Sequence, residues 1–279
     1  MIRDITVGQY YPAQSVIHRL DPRVKLLGTI SFIIMIFVIN NVAGYVVATA
    51  ALVGMIKLSG VPLKYMLKGL KAIFFILIFT AVLNIFLTPG DVIFEWRFLH
   101  ITKQGVVIAV KMAVRLVYLI VGSSIMTLTT TPNHLTDGME KGLSPLKKLH
   151  VPVHEISMMM SIALRFIPIL MEETDKIMKA QQARCADFES GNVLQRAKSL
   201  VPVLVPLFIS SFRRANDLAM AMEARCYHGG EGRTKMKPLK YERRDRVGYL
   251  MIVGFIAVII LLNIFFPPVE TAIFTAIFG

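Results

Sequence analysis

The sequence predicts an all-α polytopic membrane protein: about five membrane-spanning helices plus two long crossed coupling helices at the cytoplasmic interface. Three observations predict it. The 279 residues are 55% hydrophobic with a mean hydropathy of +0.61, too apolar for an ordinary soluble domain, and the apolar residues fall in long runs rather than periodic stripes. Lysine and arginine are unevenly shared among the loops between those runs. A long charged stretch carries two segments with one common ending, Lys179-Ala180-Gln181-Gln182-Ala183-Arg184-Cys185 and Ala219-Met220-Ala221-Met222-Glu223-Ala224-Arg225-Cys226.

The runs follow in chain order. Met1 to Lys25 is polar and charged ahead of the first of them, so no cleavable signal peptide is expected. Val24 to Ile39 is apolar apart from Lys25, and Asn40 and Asn41 break it before a second run from Ala43 to Ile56. Ala72 to Leu87 is third, ended by Thr88-Pro89-Gly90; Val106 to Leu128 is fourth, and Val247 to Phe266, ended by Pro267 and Pro268, is the last. Several fall short of the ~20 residues that cross a bilayer squarely, so flanking polar residues must complete them.

Charge placement orients the set. Arg3, Arg19, Arg23 and Lys25 precede the first run, and Lys57, Lys64, Lys68 and Lys71 stand between the second and third with no acid among them, which marks both segments as cytoplasmic. Asn40-Asn41 is uncharged, and the loop from Thr88 to Lys103 balances Asp91 and Glu95 against Arg97 and Lys103, as outside loops do. Five crossings with the N-terminus inside satisfy every loop. The division expected is an N-terminal membrane domain over 1–130, a cytoplasmic coupling domain over 131–246, and a last span and tail over 247–279.

The coupling stretch holds two apolar runs, Ile156 to Met171 and Leu200 to Ser211, interrupted by Arg165, Pro168, Pro202 and Pro206. They read as long helices whose first halves lie in the membrane interface and whose second halves project into the cytosol. Aligned on Arg184 and Arg225, the two segments form a degenerate repeat whose mid-helix charges oppose: Glu172 and Glu173 correspond to Arg213 and Arg214. Two such helices crossing near their middles would pair these charges. Ile177, Ala180, Gln181 and Arg184 follow an i, i+3, i+4, i+7 spacing, as do Leu218, Ala221, Met222 and Arg225, so each arginine ends a weakly apolar stripe. Gly191 and Gly229-Gly230 supply chain-reversing residues soon after. An arginine near one helix C-terminus is ordinarily explained by the helix dipole. Duplication of the whole context points instead to a docking device made twice, in which a guanidinium flanked by the small residues Ala183 and Cys185, or Ala224 and Cys226, enters a groove and pairs with a carboxylate.

Other chemistry is poorly supported. Glu172-Glu173-Thr174-Asp175 lacks the second acidic cluster that a metal–diphosphate site needs and reads as a charge-paired or solvated face. His150 and His154 have ligand-like spacing, but no cysteine or carboxylate pattern completes a tetrahedral set, and Val151-Pro152-Val153 reads as a turn. Nothing orients Cys226 with His228 as a nucleophile and base. No phosphate-binding Gly-x-x-x-x-Gly-Lys-Ser/Thr loop is present. The two cysteines, both on the presumed cytosolic side, are expected as reduced thiols. Lys111 and Arg115, four apart near the outer end of the fourth run, read as snorkelling side chains. The basic run Arg233, Lys235, Lys237, Lys240, Arg243, Arg244 and Arg246 fits anionic lipid headgroups better than nucleic acid. Met158-Met159-Met160 suits adaptable packing.

His18-Arg19-Leu20-Asp21-Pro22-Arg23, Leu143-Ser144-Pro145-Leu146, Ser161 to Pro168, the Gln181 to Cys185 ending, and Ser210-Ser211-Phe212-Arg213-Arg214-Ala215 leading to Met222-Glu223-Ala224-Arg225-Cys226-Tyr227 together resemble the transmembrane T component of energy-coupling factor (ECF) vitamin transporters. The resemblance runs over most of the chain. It implies a non-catalytic scaffold that joins two ABC-type ATPases to a membrane S component holding the vitamin, with no cofactor of its own because ATP and Mg bind the ATPases. It implies that Arg184 and Arg225 insert into grooves of the two ATPases, and that Asp21, Pro22, Arg23, Arg165, Pro168, Glu172, Glu173, Arg213 and Arg214 serve structure or coupling. Cys185 and Cys226 depart from the glycine usual in that motif. The Tyr227 to Thr234 continuation resembles T components shared among several S components. A cobalt or nickel uptake module is the alternative within the same family. Outside it stand a secondary transporter, which would need intramembrane acids that the first four runs lack, and a membrane-bound transferase.

Overall fold

The computed structural model describes residues 10–90, 92–96, 99–188, 192–229 and 239–265. The elements in chain order are α1 Pro22–Val38, α2 Val42–Ser59, α3 Leu63–Leu87, β1 Val92–Trp96, β2 Leu99–Thr102, α4 Lys103–Thr129, α5 Pro132–Gly142, a 3-10 turn Ser144–Leu149, α6 Val153–Ala183, α7 Val193–Ser199, α8 Val201–Ala224 and α9 Arg243–Phe265. Asp91, Arg97, Gly191, Gly230, Arg233, Lys235 and Lys237 lie outside the described residues, as do Arg3 and the tail from Phe266.

Contacts divide the chain into two units, with boundaries after Gly138 and after Pro238. In the membrane unit, α1, α2, α3, α4 and α9 share one core: Phe32, Ile36 and Ile39 of the first hairpin meet Ala48, Leu52, Met66, Val121, Ile125, Leu128 and Ile259. Their outward faces are apolar too; Phe74, Phe75, Ile76, Ile78 and Phe79 of α3 are all exposed. Such a surface is intolerable in water and ordinary in lipid.

Polar side chains cap the starts of α1, α2 and α4. Asp21 caps α1, its Oδ1 accepting from the Arg23 N–H at 2.9 Å, with Pro22 in the first turn where a missing N–H costs nothing. Asn41 caps α2 by accepting from the Gly44 N–H at 2.6 Å, and its amide donates to Asn263 of α9 at 3.0 Å. Thr102 caps α4 through the Gly105 N–H at 3.1 Å. Gly105 admits close packing, since a Cβ there would stand 2.8 Å from the Asn84 carbonyl oxygen.

Among the described residues, four helices are long and apolar enough to cross a membrane, namely α2, α4, α6 and α9, and a fifth if the two arms of α3 count as one span. Length and apolarity alone decide this set, and it differs from the five runs at two helices: α6, and α1, which packs in one core with the spans. α1 has 17 residues, about 25 Å of helix against a hydrocarbon core of about 30 Å. α6 qualifies because Pro168 does not end it: 31 residues run unbroken through that position. α3 starts nine residues ahead of the third apolar run, so Lys64, Lys68 and Lys71 lie on a helix rather than in a loop, and it bends by 59° between Lys71 and Ile73, where the basic segment meets the apolar one. The loop read as plain connection between the third and fourth runs contains an antiparallel hairpin, with Phe94 opposite Ile101 and Trp96 opposite Leu99.

In the second unit, α6 and α8 pack on each other, joined through α7. Gln181, near the end of α6, donates to the Pro202 carbonyl at the start of α8, 3.4 Å away, while Glu173 meets Ser210 and Arg214 further along. The order of these contacts makes the pair antiparallel. Ile162, Phe166, Leu170, Leu218 and Met222 line the apolar groove between them.

Candidate functional site

Both Ala-Arg-Cys endings are helix terminations built the same way. Arg184 is the C-cap of α6 with φ −94° and ψ 19°, and Arg225 is the C-cap of α8 with φ −93° and ψ 15°. The next residue turns left-handed in each: Cys185 has φ 65° and Cys226 φ 55°. The Ala186 N–H donates to the Gln181 carbonyl at 3.0 Å and the Cys185 N–H to Gln182 at 2.9 Å; the Tyr227 N–H donates to Met222 at 3.1 Å and the Cys226 N–H to Glu223 at 2.8 Å. These paired 6→1 and 5→2 bonds are a Schellman motif, which satisfies carbonyls that a helix end otherwise leaves open. The third residue of each ending therefore does more than stay small: it supplies the αL turn. Of the glycines read from sequence as reversing residues, Gly191 and Gly230 lie outside the described residues and Gly229 does hold a positive φ of 101°, but each helix is already closed at its cysteine.

Burial repeats as well. Ala183, Arg184 and Cys185 are exposed, and so are Ala224, Arg225 and Cys226, while the flanking Gln181 and Ala186, or Met222 and Tyr227, are partly buried. Among the described residues neither guanidinium has a hydrogen-bond or ion-pair partner. Arg184 lies eleven residues after Glu173 and Arg225 eleven after Arg214. In an antiparallel pair this places the two caps near opposite ends of α8, roughly 30 Å apart at 1.5 Å per residue, which is about the diameter of a small domain.

Of the four opposed mid-helix charges, one pair meets. Arg214 Nη2 donates to Glu173 Oε2 at 2.5 Å, and the Ser210 hydroxyl donates to Glu173 Oε1 at 3.2 Å. Glu172 and Arg213 are exposed and do not join it. Neighbours on a helix point about 100° apart, so only one member of each doublet can face the opposite helix. Arg165 and Pro168 are exposed on α6. Asp21, Pro22 and Arg23 sit in the membrane unit as a structural lock: the Asp21 N–H donates to Asp245 Oδ1 at 2.9 Å, Arg23 donates to the Leu239 carbonyl at 3.2 Å and lies over the Tyr241 ring.

Sequence reading missed Asp245, hidden inside a basic run yet only 2% exposed, and missed the Glu140 carboxylate, which holds His154 at 3.0 Å and Ser157 at 2.9 Å. A lone acid in a basic segment was the available signal for Asp245. His150 occupies a left-handed turn with φ 59°, while His154 points to Glu140, so the two imidazoles do not converge. Among the described residues no cluster of three metal-ligating side chains occurs.

Comparison with known proteins identifies the family. The cobalt transport protein (CbiQ) family profile matches residues 13–236. The chain is 56% identical over 266 residues, 95% of its length and 98% of the relative's, to the energy-coupling factor transporter transmembrane protein EcfT of Clostridium kluyveri. It is 54% identical over 266 residues to EcfT of Ruminiclostridium cellulolyticum, covering 95% of this chain and all of that one, and 50% identical over 246 residues to EcfT of Bacillus subtilis, covering 88% and 93%. With identity of this order over nearly the full length and a family profile matching residues 13–236, the chain belongs to the CbiQ/EcfT family of energy-coupling factor transporter transmembrane proteins.

Proposed function

We propose that this chain is the non-catalytic scaffold of an ECF-type importer. Arg184 and Arg225 each dock into a groove on one of two cytosolic ABC-type ATPases, and the α6–α8 pair passes their motion to a membrane S component that carries a vitamin or similar micronutrient. The observation that carries this reading is the duplication of an exposed arginine, without a partner among the described residues, on an identical helix cap at two points about one small-domain diameter apart. Each tip is rigid because its backbone is closed by two hydrogen bonds, so little ordering entropy is lost on docking. A buried guanidinium–carboxylate pair then anchors each contact.

In this reading the N-terminus and the α6–α8 unit face the cytoplasm, as the excess of lysine and arginine over acid in those segments supports. ATP and Mg belong to the ATPases, and substrate choice belongs to the S component. The Glu173–Arg214 contact lies at corresponding positions of the two repeats, so a displacement of one tip relative to the other turns the pair about that point. The test is affinity purification of the tagged full chain from native membranes. Two ATP-hydrolysing subunits and a small hydrophobic protein should co-purify, and the complex should hydrolyse ATP. A chain that purifies alone and by itself moves a solute across liposomes would establish a secondary transporter instead.

A further inference from the structure

We propose that the membrane unit holds a binding site for an anionic phosphate group at the level of the presumed cytoplasmic headgroups, filled by the phosphodiester of a lipid such as phosphatidylglycerol or by free phosphate. A cavity of about 340 Å³ opens where the starts of α1 and α9 meet the end of α4. Its lining has both signs of charge, but they are not equally engaged. Asp21 is ion-paired with Arg23 at 3.2 Å and Glu242 with Arg244 at 2.5 Å. Asp245 is saturated by the backbone N–H groups of Asp21 at 2.9 Å and Glu242 at 2.7 Å. Among the described residues none of the cations closes an ion pair with a carboxylate, although Asp21 is near enough to Lys25 to favour its charge. Lys25 Nζ donates only to the carbonyls of His18 at 3.1 Å and Thr129 at 2.8 Å. Exposed Arg19 reaches Gln14 at 3.4 Å, and exposed Lys240 has no carboxylate partner among the described residues.

A second observation points to a ligand. Thr130 lines this cavity and is only 7% exposed, and its buried hydroxyl has no hydrogen-bond partner among the described residues. A buried hydroxyl left unsatisfied is costly, so an acceptor seated against Thr130 would restore a bond that the described residues do not make. A phosphate oxygen accepts from Thr130 and is compensated by Lys25, Arg19 and Lys240, with no acid left free to repel it. Basic pockets at this depth are suited to anionic headgroups.

The experiment uses the delipidated full chain in neutral detergent, titrated with dioleoyl-phosphatidylglycerol or dioleoyl-phosphatidylcholine and read by native mass spectrometry, with inorganic phosphate as competitor. One phosphatidylglycerol should be retained per chain at concentrations where phosphatidylcholine is not. Arg19→Gln with Lys240→Gln, two exposed positions, should reduce that retention by about ten-fold or more, on the scale expected for two cations beside a phosphate. The near-isosteric Thr130→Val should reduce it too. Lys64→Gln with Lys71→Gln, exposed cations on α3, should leave it unchanged. Displacement by millimolar inorganic phosphate would assign the site to free phosphate; resistance to it would assign the site to lipid. Equal retention of the two lipids, unaltered retention by the pocket variants, or an equal loss in the α3 control would overturn the proposal.

Discussion

Replacing Cys185 and Cys226 by glycine should tighten both helix ends. Each cysteine holds a positive φ, 65° and 55°, a region that costs an L-residue with a Cβ roughly 1–2 kcal/mol. Both side chains are exposed, so truncation removes little packing. Against the relief stands the greater freedom of glycine in the open chain, about 0.4–1 kcal/mol. The net gain per cap is on the order of 0.5–1 kcal/mol, a factor of about two to five in the local opening equilibrium. Hydrogen exchange by mass spectrometry on the full chain in nanodiscs reads it directly. Peptides containing the Ala186 and Tyr227 amides, which close the 6→1 bonds, should exchange about two- to five-fold more slowly in the glycine variants. A β-branched Cys→Val change at the same positions should exchange faster than wild type. Exchange that is unchanged or faster with glycine would refute the left-handed cap. The glycine variants should still retain the ATPases.

Three further outcomes follow from particular contacts. Reversing Glu173 to Arg should lower the unfolding temperature, and adding Arg214→Glu should partly restore it, whereas the same cycle at Glu172 and Arg213 should be additive because those side chains do not meet; additivity at Glu173 and Arg214 would contradict the contact. His18 is held below its ordinary value of 6.5 by burial, opposed by the Tyr11 carbonyl and assisted by Lys25. The unfolded chain thus binds that proton more readily, so the stability His18 contributes is complete above pH 6.5 and fades as pH falls through the lower folded value; His18→Gln should flatten a thermal-stability profile between pH 7.5 and 5, and an unflattened profile would exclude His18 as its source. For topology, Asn41 is buried at 1% exposure, so the labelled cysteine belongs at exposed Asn40; in a Cys185, Cys226-replaced background it should react from outside intact cells while one at Lys71 should not, and the reverse would invert the orientation.

Sequence patterns exposed features that repeat or that run long. The apolar runs located α1, α2, α4 and α9 to within a few residues but missed the basic start of α3, nine residues ahead of its run, and the small-Arg-small endings stood out because they occur twice. Local grammar failed where tertiary context overrode it. Pro168 and Pro206 read as interruptions, yet α6 and α8 run on through them, with both prolines on exposed faces. Cysteine is not a usual left-handed residue, so the turn at Cys185 and Cys226 was invisible, where glycine would have shown it. The Val92–Trp96 strand was masked by its charged flanks. Asp245 looked like one acid in a basic tail, and only the fold brings it to Asp21, 224 residues away in sequence.

If Arg184 and Arg225 anchor two ATPase contacts, a pull-down with vitamin uptake on Arg184→Ala, Arg225→Ala and the double variant measures it directly. Stranding the partner charge of a buried pair costs about 2–5 kcal/mol, but while one tip remains it keeps the ATPase pair at high effective concentration. Each single change should weaken retention without abolishing it, and the double variant should insert in the membrane, fold, and retain neither ATPases nor uptake. A double variant that still pulls down both ATPases and transports normally would make the two tips ordinary helix ends and contradict the assignment.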